Sequence, residues 1–136
     1  MKVRKLVELK SAFSFEAPIL AASGKSNNLT SSQMFDLNSV LAPRPGDVYL
    51  VRVTGESMIN EGILDGDILV VNKSEKPRNG KVVIAALNGE MAVKTYRTIE
   101  GKVYLYSAND KFLPIEIKPF WQFDIQGVVK HVIHSV

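Results

Sequence analysis

The sequence predicts one mostly-β domain preceded by an extended N-terminal arm, and three observations lead to this class. From residue 47 onward, short runs rich in β-branched and aromatic residues are separated by turn residues. Asn88-Gly89 lies between two of these runs and is typical of a two-residue hairpin loop. The chain has 136 residues and 46% hydrophobic content, which suits a single core. We therefore expect a barrel-like or sandwich arrangement of about seven strands.

Residues 1–45 differ from the rest and are predicted to form a flexible arm, which leaves residues 46–136 as the folded domain. Apolar residues in the arm follow no sustained period, and residues 23–32 are small and polar, which favours an extended or mobile segment. One helical turn is expected over residues 32–38, before Pro43 and Pro45. A helix-turn-helix domain does not fit in this arm.

The strands of the domain are predicted from runs rich in apolar, β-branched and aromatic residues. These runs cover residues 48–53, 68–71, 81–87, 90–96, 103–106, 113–117 and 123–133. Their short spacing indicates a mostly-β, barrel-like or sandwich domain.

The predicted hairpin defines the surroundings of Lys94. Counting back from Asn88-Gly89 pairs Val83 with Lys94 and Ala85 with Ala92, so these four side chains share one face. A lysine stem over two alanines, with little water around its amine, has its charged form disfavoured and its pKa lowered. The neutral amine could then act as a general base. The alternative is a surface lysine that extends its amine into solvent from an edge strand.

Ser57 is the candidate nucleophile. It follows Gly55-Glu56 at the end of an apolar run and precedes two glycine turns, so its hydroxyl is expected at a strand-to-turn junction. A serine at such a junction can also serve only the turn, through local hydrogen bonds. Lys94 changes this balance, because a neutral lysine and a serine together can form a catalytic pair.

Composition and charge exclude several classes. The chain has no cysteine, which excludes disulfides, thiolate catalysis and cysteine zinc sites. The net charge is +3, but four basic and two acidic side chains fall in residues 1–24, so half or more of the excess lies in the arm. Direct DNA binding is therefore not expected. Acidic and basic residues interrupt the apolar segment after the first five residues, so neither a signal peptide nor a membrane span fits, and a cytoplasmic protein is expected.

Other polar side chains are given structural roles. His131 and His134 lie in the last strand or the tail without an evident third group, so a triad or a metal site is not expected. Asp65 and Asp67 flank Gly66 and are expected to form a turn and not a catalytic carboxylate pair.

Three segments of this sequence resemble the LexA/UmuD family of self-cleaving serine-lysine peptidases. They are Gly55-Glu56-Ser57-Met58, Gly62-Ile63-Leu64-Asp65-Gly66-Asp67 and Val93-Lys94, and the serine and the lysine are 37 residues apart. The resemblance covers residues 48–136. It implies the family's peptidase fold, with Ser57 as nucleophile, Lys94 as general base and the backbone amides of Ser57 and Met58 as oxyanion donors. Neither a metal nor another cofactor is implied.

The family also implies a substrate, which is a peptide bond in the protein's own arm between a small residue and glycine. Ser23-Gly24 is the matching bond, and Ala22-Ser23 is the alternative. Relatives usually have alanine or cysteine where this chain has Ser23, so the bond departs from the family pattern.

Partners are likewise implied by the resemblance. These are a second copy of the chain in a homodimer, the RecA filament on single-stranded DNA as activator during the SOS response, and an UmuC-like translesion polymerase for the trimmed product. The short arm stands where LexA and the phage repressors carry a DNA-binding domain. The alternative is a non-catalytic dimeric binding module that keeps the family fold and uses the arm as a clasp.

Overall fold

The computed structural model describes residues 1–8, 17–18 and 34–136, and its fold is mostly β, as predicted. The strands are β1 (Lys2–Glu8), β2 (Ala17–Pro18), β3 (Met34–Phe35), β4 (Val48–Thr54), β5 (Ile68–Asn72), β6 (Val82–Leu87), β7 (Glu90–Ile99), β8 (Lys102–Tyr106), β9 (Ile115–Glu116) and β10 (Phe123–Ile133). The described helices are α1 (Leu37–Leu41) and two short 3-10 turns, Pro45–Asp47 and Ile59–Glu61. None of the helices in this part of the chain is long and apolar enough to cross a membrane.

Eight of the strands form one antiparallel sheet in the order β1-β4-β5-β10-β6-β7-β8-β9. Strand β1 also pairs with β7, through Lys2 and Ala92. This second pairing closes the sheet between β1 and β7 into a barrel, and β8 and β9 continue beyond the closure. Strands β2 and β3 form a separate two-stranded sheet.

The hairpin β6–β7 has the predicted register. Val83 pairs with Lys94 and Ala85 pairs with Ala92. The loop residues Asn88 and Gly89 have φ angles of 49° and 88°, the left-handed values that a tight two-residue hairpin loop requires. The sequence prediction for this hairpin is confirmed.

Apolar side chains pack on both faces of the sheet. The larger cluster lies inside the barrel and consists of Tyr49, Val51, Val53, Met58, Ile63, Leu69, Val71, Ile84 and Val93. A second cluster on the other face contains Val83, Ala85, Leu105 and Val128. Because successive side chains of a strand point to opposite faces, the hairpin β6–β7 contributes to both clusters.

Four elements of regular structure, β1, β2, β3 and α1, lie within the predicted arm. Strand β1 pairs with β4 over most of its length. Helix α1 begins at Leu37, later than the turn predicted over residues 32–38, because Asp36 is its N-cap and accepts a hydrogen bond from the Asn38 amide at 2.9 Å. The division of the chain at residue 45 stays a prediction. Both candidate cleavage bonds, Ser23-Gly24 and Ala22-Ser23, lie outside the described residues.

Candidate active site

Ser57 lies in the turn that follows β4, at the strand-to-turn junction expected from the sequence. The chain leaves β4 through Gly55, whose φ of 103° is accessible to glycine with little strain. Ser57 is only 2% exposed and its neighbour Met58 is fully buried in the barrel core. A buried core residue on one side and a glycine turn on the other therefore fix the position of the serine.

Asp65 and Asp67 hold this turn from the other side. The carboxylate of Asp65 accepts a hydrogen bond from the Gly55 amide at 2.8 Å, and that of Asp67 accepts one from the Leu64 amide at 2.8 Å. Asp67 is 2% exposed, and its second carboxylate oxygen lies 2.6 Å from Nδ1 of His134. Both aspartates are turn formers, as predicted, and Asp65 also anchors the loop that carries Ser57.

The hydroxyl of Ser57 faces the first residue of the chain. The amino group of Met1 donates a hydrogen bond to Oγ of Ser57 at 2.6 Å. The carbonyl of Met1 accepts one from the amide of Val93 on β7 at 3.3 Å. Burial lowers the pKa of the Met1 amino group, and the positive charges of Lys94 and Lys2 lower it further. The start of β1 therefore lies against the candidate nucleophile and close to the candidate base.

Lys94 is half-buried, and its amine is bound to the segment that follows β8. Burial lowers the pKa of Lys94 below its ordinary value, which confirms the direction predicted from the sequence. The Nζ atom donates a hydrogen bond to Oγ of Ser107 at 2.6 Å and lies 5.9 Å from the centre of the Phe112 ring. Among the described residues, no salt bridge involves Lys94.

Ser57 and Lys94 are thus brought to the same place around the Met1 amino group. Within the described parts of the chain, no hydrogen bond joins the two side chains directly, since the serine is bound to Met1 and the lysine to Ser107. Their roles as nucleophile and general base stay predictions.

The segment after β8 connects the serine loop to the lysine. The carbonyl of Ala108 accepts a hydrogen bond from the Asn60 amide at 2.8 Å, and the side-chain amide of Asn109 donates one to the carbonyl of Glu56 at 2.9 Å. The amide of Ala108 also donates to Sδ of Met58 at 3.3 Å. These bonds fasten the segment to both sides of Ser57.

Sequence reasoning missed Ser107 and Asn109, although a local signal exists for the first. Glu100-Gly101 is a second two-residue loop, and counting back from it pairs Tyr106 with Thr95, as observed. One step further places Ser107 opposite Lys94. No local pattern identifies Asn109, because its partner is 53 residues away in the sequence.

The amides of Ser57 and Met58 are the predicted oxyanion donors. Neither amide has a recorded hydrogen bond to an acceptor within residues 1–8, 17–18 and 34–136. Both are therefore without a protein partner in that part of the chain, which is what a donor to a developing oxyanion requires. In the same residues, no group of three or more histidine, aspartate and glutamate side chains is arranged to hold a metal ion.

A closed β-barrel that brings a buried serine and a lysine of lowered pKa to one site defines a class of candidate hydrolases. Comparison with known families identifies the family of the chain. The chain belongs to the Peptidase S24-like family, whose model matches residues 13–130.

Curated relatives are LexA repressors. The chain is 43% identical over 93 residues to the LexA repressor of Vibrio cholerae serotype O1, strain O395, which covers 68% of this chain and 44% of the relative. The LexA repressor of Shewanella piezotolerans is 40% identical over 93 residues, with 68% and 45% covered. That of Colwellia psychrerythraea is 40% identical over 92 residues, with 67% and 44% covered. The chain therefore spans less than half the length of these relatives.

Proposed function

We propose that this chain is a serine endopeptidase that cleaves its own arm, with Ser57 as nucleophile and Lys94 as general base. The observation that carries the proposal is that Met1 lies between the two residues: its amino group bonds to the buried hydroxyl of Ser57, and its carbonyl bonds to Val93, the neighbour of the half-buried Lys94. Membership of the Peptidase S24-like family supports the same chemistry.

The reaction is an acyl transfer. Neutral Lys94 takes the proton of the Ser57 hydroxyl, and Oγ attacks the carbonyl carbon of Ser23. The amides of Ser57 and Met58 stabilise the oxyanion of the tetrahedral intermediate. When the intermediate collapses, the bond to Gly24 breaks, and Lys94 returns the proton to the departing amine. Water then attacks the acyl-serine, with Lys94 as base, and releases residues 1–23 with a free carboxylate.

Two hydrogen bonds must be exchanged before this reaction begins. The amine of Lys94, now bonded to Ser107, has to form a hydrogen bond with the hydroxyl of Ser57. The Met1 amino group has to move away from that hydroxyl. Docking of the Ser23-Gly24 bond competes with Met1 for the space beside Ser57. We infer that cleavage is slow in the isolated chain and that an activator acts by shifting the population toward the docked arm.

Within the family we propose a role like that of UmuD in the SOS response to DNA damage. The support is the resemblance of Ile84-Ala85-Ala86-Leu87-Asn88-Gly89-Glu90 and Gly127-Val128-Val129 to UmuD segments. In this proposal the chain is a cytoplasmic homodimer, the RecA filament on single-stranded DNA promotes the cut, and the trimmed product serves an UmuC-like translesion polymerase as an accessory subunit.

Mass spectrometry of the purified chain tests the peptidase proposal. Incubation at rising pH, up to about pH 10, and with the RecA filament should yield a fragment that begins at Gly24, or at Ser23 if the alternative bond is cut. Ser57→Ala and Lys94→Ala should reduce the cleavage rate at least about 10³-fold. Ser74→Ala is the matched control, since Ser74 bonds to Asp47 and not to the site.

The non-catalytic adaptor remains the second candidate, and one observation favours it. Met1 covers the hydroxyl of Ser57, as a permanent clasp of the arm would. A wild-type chain that stays whole both at about pH 10 and with activated RecA would support the adaptor and contradict the peptidase.

A further inference from the structure

Ser107 stands directly beside the candidate general base. The last recorded pair of the β7–β8 ladder on this side is Thr95 with Tyr106, so the next residues along the two strands, Lys94 and Ser107, lie opposite each other. Side chains directly opposite in an antiparallel pair share one face and are in contact. The Oγ atom of Ser107 accepts a hydrogen bond from Nζ of Lys94 at 2.6 Å.

The position of Ser107 is set by the loop that carries the nucleophile. Its neighbour Ala108 is bonded through its carbonyl to the Asn60 amide and through its amide to the sulfur of Met58. Asn109 is 8% exposed and bonds to the carbonyl of Glu56. Two contacts to backbone atoms and one to a side-chain sulfur therefore link residues on both sides of Ser57 to the residues immediately after Ser107.

We propose that Ser107 is a positioning residue that fixes the amine of Lys94 relative to Ser57. This inference rests on the proposed function of the same site. A lysine side chain has four rotatable bonds, and a half-buried amine without an acceptor would sample several of their rotamers. A hydroxyl fastened to the serine loop selects one of them, and it holds the amine against the segment that follows β8.

Ser107 also influences the protonation of Lys94. A hydroxyl oxygen that accepts a hydrogen bond favours the ammonium form, whereas burial favours the neutral amine. The other groups near Lys94 are the Met1 amino group, whose pKa the charge of Lys94 lowers, and the Phe112 ring, which favours the ammonium. Among the described residues, no carboxylate pairs with Lys94. Ser107 is therefore the nearest group that retains the proton on the amine.

The pH profile of self-cleavage tests this proposal. Ser107→Ala should lower the rate at the alkaline plateau by about tenfold, because the amine is no longer held. It should also move the midpoint of the profile to lower pH, because the acceptor that favours the ammonium is gone. Ser107→Thr keeps the hydroxyl and should restore both values, and Ser74→Ala should leave both unchanged. A Ser107→Ala profile that coincides with that of wild type would overturn the proposal.

A second measurement does not depend on cleavage. The titration of Lys94 can be followed by NMR of labelled lysine side chains in the Ser57→Ala chain, with Lys94→Arg to assign the signal. Adding Ser107→Ala should move this titration to lower pH. An unchanged titration would overturn the role of Ser107 whether or not the wild-type chain cuts itself. If the wild-type chain never cleaves itself and Ser107→Ala still shifts the titration, the contact between Ser107 and Lys94 is supported. Only the peptidase proposal is then contradicted.

Discussion

Lys94 combines opposing influences at the scale of a single residue. Burial disfavours its charge, while the hydroxyl of Ser107 and the Phe112 ring favour it. Burial is the largest of these influences, since the pKa of Lys94 lies below its ordinary value. A general base must lose its proton easily, and holding an ammonium in this half-buried place costs stability when the pH is neutral.

Replacing Lys94 by methionine should therefore stabilise the fold at neutral pH, by about 0.5–1 kcal/mol in the free energy of unfolding. Because the folded pKa of Lys94 is lowered, the unfolded chain binds more protons than the folded chain between that pKa and the ordinary 10.5. The chain that keeps Lys94 therefore gains stability as pH rises through this window. The difference in the free energy of unfolding between it and the Lys94→Met chain should become smaller there.

Urea unfolding at several pH values checks this expectation, with both chains carrying Ser57→Ala so that they stay intact. Lys81→Met is the control, because Lys81 is exposed. A Lys94→Met chain that is less stable than its parent at neutral pH would show that the hydrogen bond to Ser107 outweighs the cost of burial.

Some features of these single residues could be predicted from the sequence, and others could not. The lowered pKa of Lys94 was predictable from two alanines on its face, and Ser107 was predictable from the register of a second tight loop. The contacts of Asn109 and Met1 with the serine loop were not predictable, because each joins residues more than 50 positions apart in the sequence. Hydrophobic periodicity describes only neighbours within one strand or hairpin.

At the scale of elements, the strands of the domain follow their sequence signals, but β10 contains an irregularity. Its register against β6 shifts between Ile125 and Gly127. A Cβ atom at Gly127 would lie 2.6 Å from Cγ1 of Val71 and 2.8 Å from the carbonyl oxygen of Asn72. The absence of a side chain at this bulge lets β10 approach β5 closely, as glycine does in other irregular strands.

Gly127→Ala should consequently destabilise the fold by about 1–3 kcal/mol, because backbone atoms of Asn72 have to move. Thermal unfolding monitored by circular dichroism measures the loss. Gly46→Ala is the matched control, since a Cβ atom there meets nothing within 4 Å. Equal melting temperatures for the two variants would mean that the close approach of β10 and β5 is not needed for stability.

The element that the sequence described least well is β1. The apolar residues of the arm follow no sustained period, which favoured an extended segment, yet β1 pairs with β4 and packs Val3 against the barrel core. Pairing along a strand edge supplies backbone hydrogen bonds whatever the side chains are, so composition alone does not report it. The same contacts bring Met1 to Ser57.

At the scale of the whole molecule, the barrel is closed unevenly. Strand β1 is paired with β4 over most of its length but with β7 only through Lys2 and Ala92. The central strands β5 and β6 have paired neighbours on both sides along nearly all of their length. We expect the closure between β1 and β7 to open more readily than the central ladders.

Native-state hydrogen exchange should show this difference. Amides of β5 and β6 should exchange only through global unfolding, whereas those of β1 and of the short edge strand β9 should exchange at least about tenfold faster. Measuring the Ser57→Ala chain avoids interference from cleavage. Equal protection of β1 and β5 would contradict an easily opened barrel.

The hydrogen bond between Met1 and Ser57 has a practical consequence for anyone who handles this protein. Any residue attached to the Met1 nitrogen enters a confined space, because that nitrogen is 2.6 Å from the serine oxygen. An affinity tag fused there would either displace β1 or lie against the candidate nucleophile. Val136 is fully exposed, so a tag fused after it does not have to enter that confined space.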